Sequence, residues 1–341
     1  MRKLLFFILI IQQVTIFAQN PQEKNQGIRV MFYNVENLFH PSNDSLKNDD
    51  EFTPKGQRYW SYKRYKQKLI NIAKTVIAVG EWEPPAVIGL CEIENITCLT
   101  DLVNQSPLKK FGYQIIHYEC GDKRGIDVAL LYRPEFFTPV YSHPFVLNFG
   151  ENSRPTRDIL YVKGVVNKKD TLHCFVNHWP SRYGGQLATA PKREKAAEVL
   201  RSKYDSILKV NALANILSMG DFNDHPDDVS MKDILKAQKD TLQLSADDLV
   251  NLIWHYAPNL GTHKFQHIWG VLDQFVVTQN LVFGKNHLYA PLQNAKIFKA
   301  DWLLEPDEVG QKLNRTYTGF KYHGGYSDHL PIYVDVLFVN H

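Results

Sequence analysis

The stretch "SMGDFNDHPDD" (218–228) gathers Asp221, Asn223, Asp224, His225, Asp227 and Asp228 directly behind an apolar run. Converging carboxylates repel one another unless something positive sits among them. Side chains of the same types mark other apolar runs: Asn34 and Glu36 in "YNVENLF", Glu92 in "GLCEIEN", Asp127 in "GIDVALLYRP" and His178 in "VNHWPSR". Asp273 in "VLDQF" and the pair Asp328 and His329 in "YSDHLP" complete the set. All are oxygen donors or imidazoles, which suits Mg²⁺, Mn²⁺ or Ca²⁺ better than zinc. Two imidazoles can move protons near neutral pH. Together these groups are equipped for metal-assisted displacement at phosphorus.

Spacing refines some of these assignments and leaves others open. Alternation turns Phe222 away from Asp221 and Asn223, so their polar groups share one side. Asp224, His225, Asp227 and Asp228 fall in a proline-containing loop and read as solvated residues. Glu92 and Glu94 share a face by strand alternation, so the pattern does not separate them. Lys63, Arg64, Lys66 and Lys68 read as one solvated helix face. Arg124, Arg154, Arg157 and Arg182 lie nearer the motif loops and are expected to contact phosphate, Arg124 and Arg182 foremost. Trp179, Tyr183 and Tyr326 flank the same loops and suit either base stacking or rim packing.

The elements that position these groups are short. Strands are expected over 28–39, 84–95, 125–134, 171–180, 215–224, 270–278 and 326–339, each bounded by turn residues. A helix is expected over 61–80, with Ser61 as N-cap and Gly80 as stop, and another from Pro191 to Leu208. No repeat or long linker interrupts them. This order predicts a single layered α/β domain over 28–341, with the polar groups at one rim of its sheets where strands exit.

Residues 1–18 have the shape of a cleaved signal peptide: basic Arg2 and Lys3, the apolar run Leu4 to Ile11, and a small residue, Ala18. The apolar run falls short of the roughly 20 residues of a membrane span, so no stable membrane insertion is expected. Residues 19–27 read as a polar disordered segment, and the mature protein as periplasmic or secreted. Removing Arg2 and Lys3 takes the formal charge from +3 to +1, so a polyanion would have to meet a local basic patch. The four cysteines, Cys91, Cys98, Cys120 and Cys174, allow three pairings that their spacing does not choose among. Cys91 and Cys174 lie in apolar runs that suit buried thiols.

Taken in order from about Ile28 to Val339, "YNVENLF", "GLCEIEN", "VNHWPSR", "GDFND" and "YSDHLP" resemble the endonuclease/exonuclease/phosphatase superfamily. The resemblance implies the deoxyribonuclease I-like fold, an α/β (α+β) four-layered sandwich of two packed, mainly antiparallel β-sheets flanked by helices. It implies Glu92 as principal metal ligand with Asn34 beside it, and Glu36 and Asp328 as further metal-side carboxylates. It implies that Asp221 and Asn223 handle the attacking water and the phosphate oxygens. His329 matches the general base, Asp273 the group that holds its tautomer, and His178 the second histidine, with Asp127 as partner of His178.

The resemblance further implies a Mg²⁺-dependent phosphodiesterase, with Mn²⁺ or Ca²⁺ as alternatives, acting as a monomeric endonuclease on DNA or RNA. The same motifs serve sphingomyelinase-like phospholipases and inositol-phosphate phosphatases. A sphingomyelinase would want an exposed apolar hairpin, and the sequence singles none out. A non-catalytic binding module would have lost part of the polar set, which is complete here.

Overall fold

The computed structural model describes residues 27–151, 153–257 and 260–339. The expected signal peptide lies outside the described residues. Gly27, assigned above to the polar segment, is instead the first residue of a strand and pairs with Leu337.

The chain opens with β1 (Gly27–Leu38), α1 (Tyr62–Gly80), β2 (Val87–Ile93), α2 (Ile96–Gln105), β3 (Gln114–His117) and β4 (Asp127–Tyr132). It continues through β5 (Phe137–Phe145), β6 (Ile159–Val166), β7 (Asp170–His178), α3 (Gln186–Val210) and β8 (Asn215–Asp221). Short strands β9 (Ala237–Gln238) and β10 (Leu249–Asn251) precede a hairpin, β11 (His263–Phe265) and β12 (Ile268–Gly270). Then come β13 (Asp273–Thr278), α4 (Gln279–Phe283), β14 (Leu288–Tyr289) and β15 (Ala295–Ile297). Two small hairpins follow, β16 (Leu304–Asp307) with β17 (Gly310–Leu313), and β18 (Tyr317–Thr318) with β19 (Lys321–Tyr322). The last strand is β20 (Ile332–Phe338).

Two seven-stranded sheets form, in the orders β14-β20-β1-β2-β4-β3, with β15 also on β20, and β5-β6-β7-β8-β13-β10-β9. Most neighbours are antiparallel; β1 with β2, β7 with β8 and β9 with β10 are parallel. Alternation along each strand generates the layers. In β1, Val30 and Phe32 face the second sheet and meet a core that includes Leu130, Val162, Met219 and Phe275. Met31, Tyr33 and Val35 face the other way, into a cluster with Leu69, Ile72 and Val76 of α1. On the far side, Ala197, Leu200 and Tyr204 of α3 cluster with Tyr161 and Phe175. The result is a helix–sheet–sheet–helix sandwich, as the resemblance implies.

The expected helix boundaries hold well for α1, where the Ser61 side chain accepts from the Arg64 N–H. Helix α3 starts earlier than expected, at Gln186, and takes Pro191 inside its early turns. The expectation that the polar groups all sit at strand exits needs correction. β1, β2, β7 and β8 run outward to the rim that carries the polar groups, but β4, β13 and β20 are antiparallel to them and start there. Asp127, Asp273 and His329 therefore stand at strand entries. The glycine of "GDFND" has a steric cause: a Cβ on Gly220 would lie 2.5 Å from both Cβ and carbonyl O of Asn177 on β7. That close approach aligns His178 with Asp221 in the parallel register.

Candidate active site

Both outward strands of the first sheet break their regular geometry where they deliver side chains. Glu36 and Asn37 have φ of 54° and 56°, and Glu92 has φ of 63°. The β2–β4 register shifts between Cys91 and Ile93. A bulge at this point ends simple alternation, which is why the expectation of a shared face for Glu92 and Glu94 fails. Glu92 Oε2 accepts from the Asn37 N–H at 2.8 Å. Glu94 Oε2 accepts from the His40 N–H at 2.6 Å and lies 3.8 Å from Cys98 Sγ. Burial pushes the Glu94 carboxyl up to about 7. A left-handed backbone at non-glycine residues costs on the order of 1–3 kcal/mol each and clusters at functional sites.

Asp221 is the hub. Its Oδ2 accepts from Asn34 Nδ2 at 3.1 Å and lies 3.7 Å from His178 Nε2 and 3.8 Å from His329 Nε2. Its Oδ1 accepts from the Asn223 N–H at 2.9 Å. His178 Nε2 also stands 4.0 Å from Glu92 Oε1. His329 Nδ1 meets Asp273 Oδ2 at 2.7 Å, and the His329 N–H is held by Ser327 Oγ. That ring pairing assigns the Nδ1 proton to the Asp273 bond and leaves Nε2 facing Asp221.

The two imidazoles are biased in opposite directions. Burial lowers the His178 pKa, and the cations Arg157 and Arg124 lower it further, to well below the usual histidine range. Burial would do the same to His329, but Asp273 and Asp221 outweigh it and hold that pKa well above the usual value. Burial, reinforced by Asp273 and Glu92 against the opposing His329, pushes Asp221 up to about 7.

Other expected residues are placed differently. The Glu36 carboxylate accepts from the Thr316 N–H at 2.7 Å and faces Arg315 Nε at 3.4 Å. Asp328 Oδ2 accepts from Arg315 Nη2 at 2.8 Å. Arg315 thus draws both expected metal-side acids to itself. Burial alone would raise the Asp328 carboxyl, yet Arg315 and His329 hold it below the usual range. Asp127 is not the partner of His178: it meets His117 Nε2 at 3.0 Å and accepts from the Cys120 N–H. Antiparallel pairing of β3 with β4 brings His117 across from the start of β4. Asn223, at φ 52°, turns its Nδ2 to the Trp179 carbonyl at 3.0 Å.

The cations also sort themselves anew. Arg124 is exposed and donates to Asn37 Oδ1. Arg182, expected on phosphate, instead donates to the Asn223 carbonyl and to Asp228 at 2.6 Å. Arg157 is buried against the Trp179 carbonyl and Asp122. Arg154 lines a cleft with Lys123, Lys192 and Arg124. Lys68 is not on a solvated face, because it follows Tyr65 by three positions and shares its buried side. Its ammonium donates to Thr316 Oγ1 and the Tyr326 carbonyl, and burial lowers it to about 8. Asp224 is likewise buried, compensated by Arg193 Nε at 2.7 Å and Ser230 Oγ at 2.6 Å. Trp179 is fully buried and packs edge-on to Phe222, Tyr326 packs on Trp302, and Tyr183 is 94% exposed. All four cysteines are free thiols.

Sequence reasoning missed His263 and Arg315. His263 pairs through a backbone bridge with His329, with ring centroids 4.8 Å apart. Its signal in the sequence is only its place before the "VLDQF" strand, ten residues ahead of Asp273. Arg315 carries no local motif.

The donor set fits a hard divalent cation. Asp221 and Asn34 are buried and Glu92 is partly buried beside them, and among the described residues no lysine or arginine bonds to Glu92 or Asp221. Such a carboxylate pair calls for a positive partner. Glu92 with Asn34 alongside would hold it, and Asp221 closes that side of the centre.

The sequence pattern described as the endonuclease/exonuclease/phosphatase family matches residues 29–337. No curated protein matches by sequence. Among solved structures, the human nocturnin catalytic domain with bound sulfate anion is similar at 16% identity and TM-score 0.56, over 92% of this chain and 95% of that one. A family protein from Bacteroides thetaiotaomicron has 14% identity and TM-score 0.57, over 92% and 99%. The mannosyl-6-phosphatase of the same organism has 16% identity and TM-score 0.55, over 91% and 100%. At such identities the likeness is one of fold.

Proposed function

This chain belongs to the endonuclease/exonuclease/phosphatase family, whose members hydrolyse phosphoesters, and on that footing we propose that it is a divalent-metal-dependent phosphodiesterase acting on nucleic acid. The observation that carries the reading is the grouping of Asp221 with His178, His329 and Asn34, with Glu92 at hand. His329 gives its Nδ1 proton to the Asp273 bond, so Nε2 is oriented to take a proton from water approaching phosphorus. Asp221 Oδ2, between the two imidazoles, accepts from that water and fixes its line of approach. His178, kept neutral, offers an N–H to a phosphoryl oxygen, where negative charge grows. A cation on Glu92 and Asn34, Mg²⁺ foremost, would supply neutralisation of the phosphoryl oxygens.

Nucleic acid is favoured by two basic clefts that meet at Arg124 and Tyr183, one with Arg154 and Lys192, the other with Arg58 and Arg315. A second reading has its own observation. The hairpin β11–β12, which carries His263, exposes Phe265 (67%) and Ile268 (74%) beside the centre. That is the apolar hairpin a phospholipid-cleaving relative would use, although no helix among the described residues is long and apolar enough to cross a membrane. The deciding experiment assays the purified protein, with and without chelator, on plasmid DNA, RNA, sphingomyelin vesicles and inositol phosphates. Chelator-sensitive cleavage of DNA or RNA is the expected result. Turnover of sphingomyelin alone would favour the second reading, and no turnover of any ester would sink both.

Export is part of the same proposal, resting on the composition of residues 1–18. Mass spectrometry of protein from its native host is expected to find Gln19 at or near the start; retention of Met1 to Ala18 would refute it.

A further inference from the structure

Three guanidinium groups, those of Arg58, Arg124 and Arg315, line one cleft of about 540 Å³ beside the reaction centre, with Tyr183 and Tyr317 on its walls. The cleft joins the centre at two points. Asn37, whose N–H holds Glu92, accepts from Arg124 through Oδ1. Arg315 bonds Asp328, the chain neighbour of His329.

Arg315 is offset by Glu36 and Asp328 and Arg58 by Glu51, so the uncompensated charge of the cleft is that of Arg124. The cleft's only lining carboxylate is Glu36, which is buried and already engaged by Thr316 and Arg315. Arg58 is held rigidly, with its guanidinium 4.8 Å from the Phe52 ring centroid and 5.1 Å from that of Tyr317. It pairs with Glu51 at 3.1 Å from outside the cleft and donates to the Gly319 carbonyl. Arg124 has no carboxylate partner among the described residues; its side chain bonds the neutral Asn37 amide. Planar guanidinium forks held near one another around an open volume match the oxygens of a phosphate.

We propose that this cleft is a subsite for a second phosphate of the substrate, with Arg124 as its principal ligand and Arg58 and Arg315 as fixed charges behind it. The proposal rests on the phosphoesterase reading for the first phosphate but concerns a separate group and a separate set of side chains. The substrate class is an ester that carries a second phosphate near the scissile one. Successive nucleotides of a strand satisfy it, and so does a bisphosphorylated small molecule.

The test has two arms. In the first, metal-free protein is titrated with inorganic pyrophosphate by calorimetry, as wild type, Arg124→Ala, Arg124→Lys and Arg58→Ala, with circular dichroism as the check of folding. Wild type is expected to bind, Arg124→Ala to bind about tenfold or more weakly, as for loss of one charged hydrogen bond, and Arg124→Lys to recover part of the loss. Wild-type protein that binds no pyrophosphate up to millimolar concentration overturns the subsite, as does unchanged binding in Arg124→Ala. Exposed Arg124 keeps the test decisive even where Arg58→Ala unfolds, and this arm needs no turnover, so it separates the subsite from the phosphoesterase reading. The second arm compares kcat/KM for thymidylyl-thymidine with and without a terminal phosphate, and for a hexose bisphosphate against its monophosphate. A preference for the second phosphate that Arg124→Ala abolishes identifies which source the cleft serves. Turnover with equal kcat/KM in both pairs overturns the proposal.

Discussion

Asp221 and Asp273 are register partners across the antiparallel pair β8–β13, and the His329 ring from the other sheet stands 2.7 Å from one and 3.8 Å from the other. Two carboxylates at that separation would repel if nothing lay between them. The imidazole both relieves the repulsion and is fixed by it.

Asp273→Asn removes the charge that holds the His329 imidazolium. The active form of a general base is neutral, so rate rises with pH through its pKa and then levels. With that pKa raised by Asp273 and Asp221, the acid limb of the wild-type profile is expected above the ordinary histidine range. In Asp273→Asn the limb should move to lower pH while the plateau falls, because the tautomer is no longer dictated. His329→Ala is expected to lose ~10²–10⁴-fold, and His178→Ala to lose rate without the same displacement of the limb. A pH–rate series at saturating metal checks this, and exchanged behaviour of the two histidines would exchange their roles.

Glu92→Gln should cost on the order of 100-fold in rate or more and raise the Mg²⁺ concentration needed for half-activity. Glu94→Gln should leave both nearly unchanged, since Glu94 serves the His40 N–H on the other side of the bulge. Equal losses at the two positions, read from metal titrations of activity, would place the ligand wrongly. Exhaustive chelation is expected to abolish activity, and Mg²⁺ or Mn²⁺ to restore it.

Arg193→Met removes the nearer of the two cations on the buried Asp224, leaving Arg182 Nη2 at 3.3 Å. Leaving a buried charge wholly unpaired costs roughly 3–5 kcal/mol; with Arg182 still in place, a smaller but clear fall in the urea midpoint is expected. Adding Asp224→Asn should restore part of the loss, because the undercompensated charge is gone. A double variant no more stable than Arg193→Met would count against the pair as the cause.

His173 reports on acid stability away from the site. Burial, with Lys163 adding to it, pushes its pKa down to about 4, and its Nδ1 is bonded to Tyr161 Oη at 2.7 Å. The unfolded chain takes up this proton near pH 6.5, and the folded protein only near pH 4. Between those values the unfolded state binds more protons, so stability falls as pH falls. His173→Phe should show a smaller Tm loss between pH 7 and pH 5 than wild type. An unchanged pH dependence would rule His173 out as a contributor.

The parts of the site legible in the sequence are those with local pattern: polar residues next to apolar runs, as at Asn34, Glu92, His178 and Asp221. Their meeting at one rim follows from strand order and direction. What escaped was set by distant contacts. Arg315 reaches Glu36 and Asp328 from a loop between small hairpins. Lys68 looks solvated until Thr316 and Tyr326 cover it. The bulge at Glu92 is invisible to a period-two reading, since it is the pairing partner β4 that reveals the extra residue. Edge strand β5 escaped because it holds Pro139 and Pro144 and is largely exposed or half-buried.

The rim described above takes Asn34, Glu92 and His329 from one sheet and His178, Asp221 and Asp273 from the other. Two bonds cross the seam, Asn34 to Asp221 and His329 to Asp273. Turnover is therefore a readout of how faithfully the halves of the sandwich are seated. A sideways slip of about one ångström would separate proton acceptor from orienting acid while leaving every helix and strand intact. Enzymatic competence should be the last property gained in refolding and the first lost under mild denaturant, ahead of any change in far-ultraviolet circular dichroism.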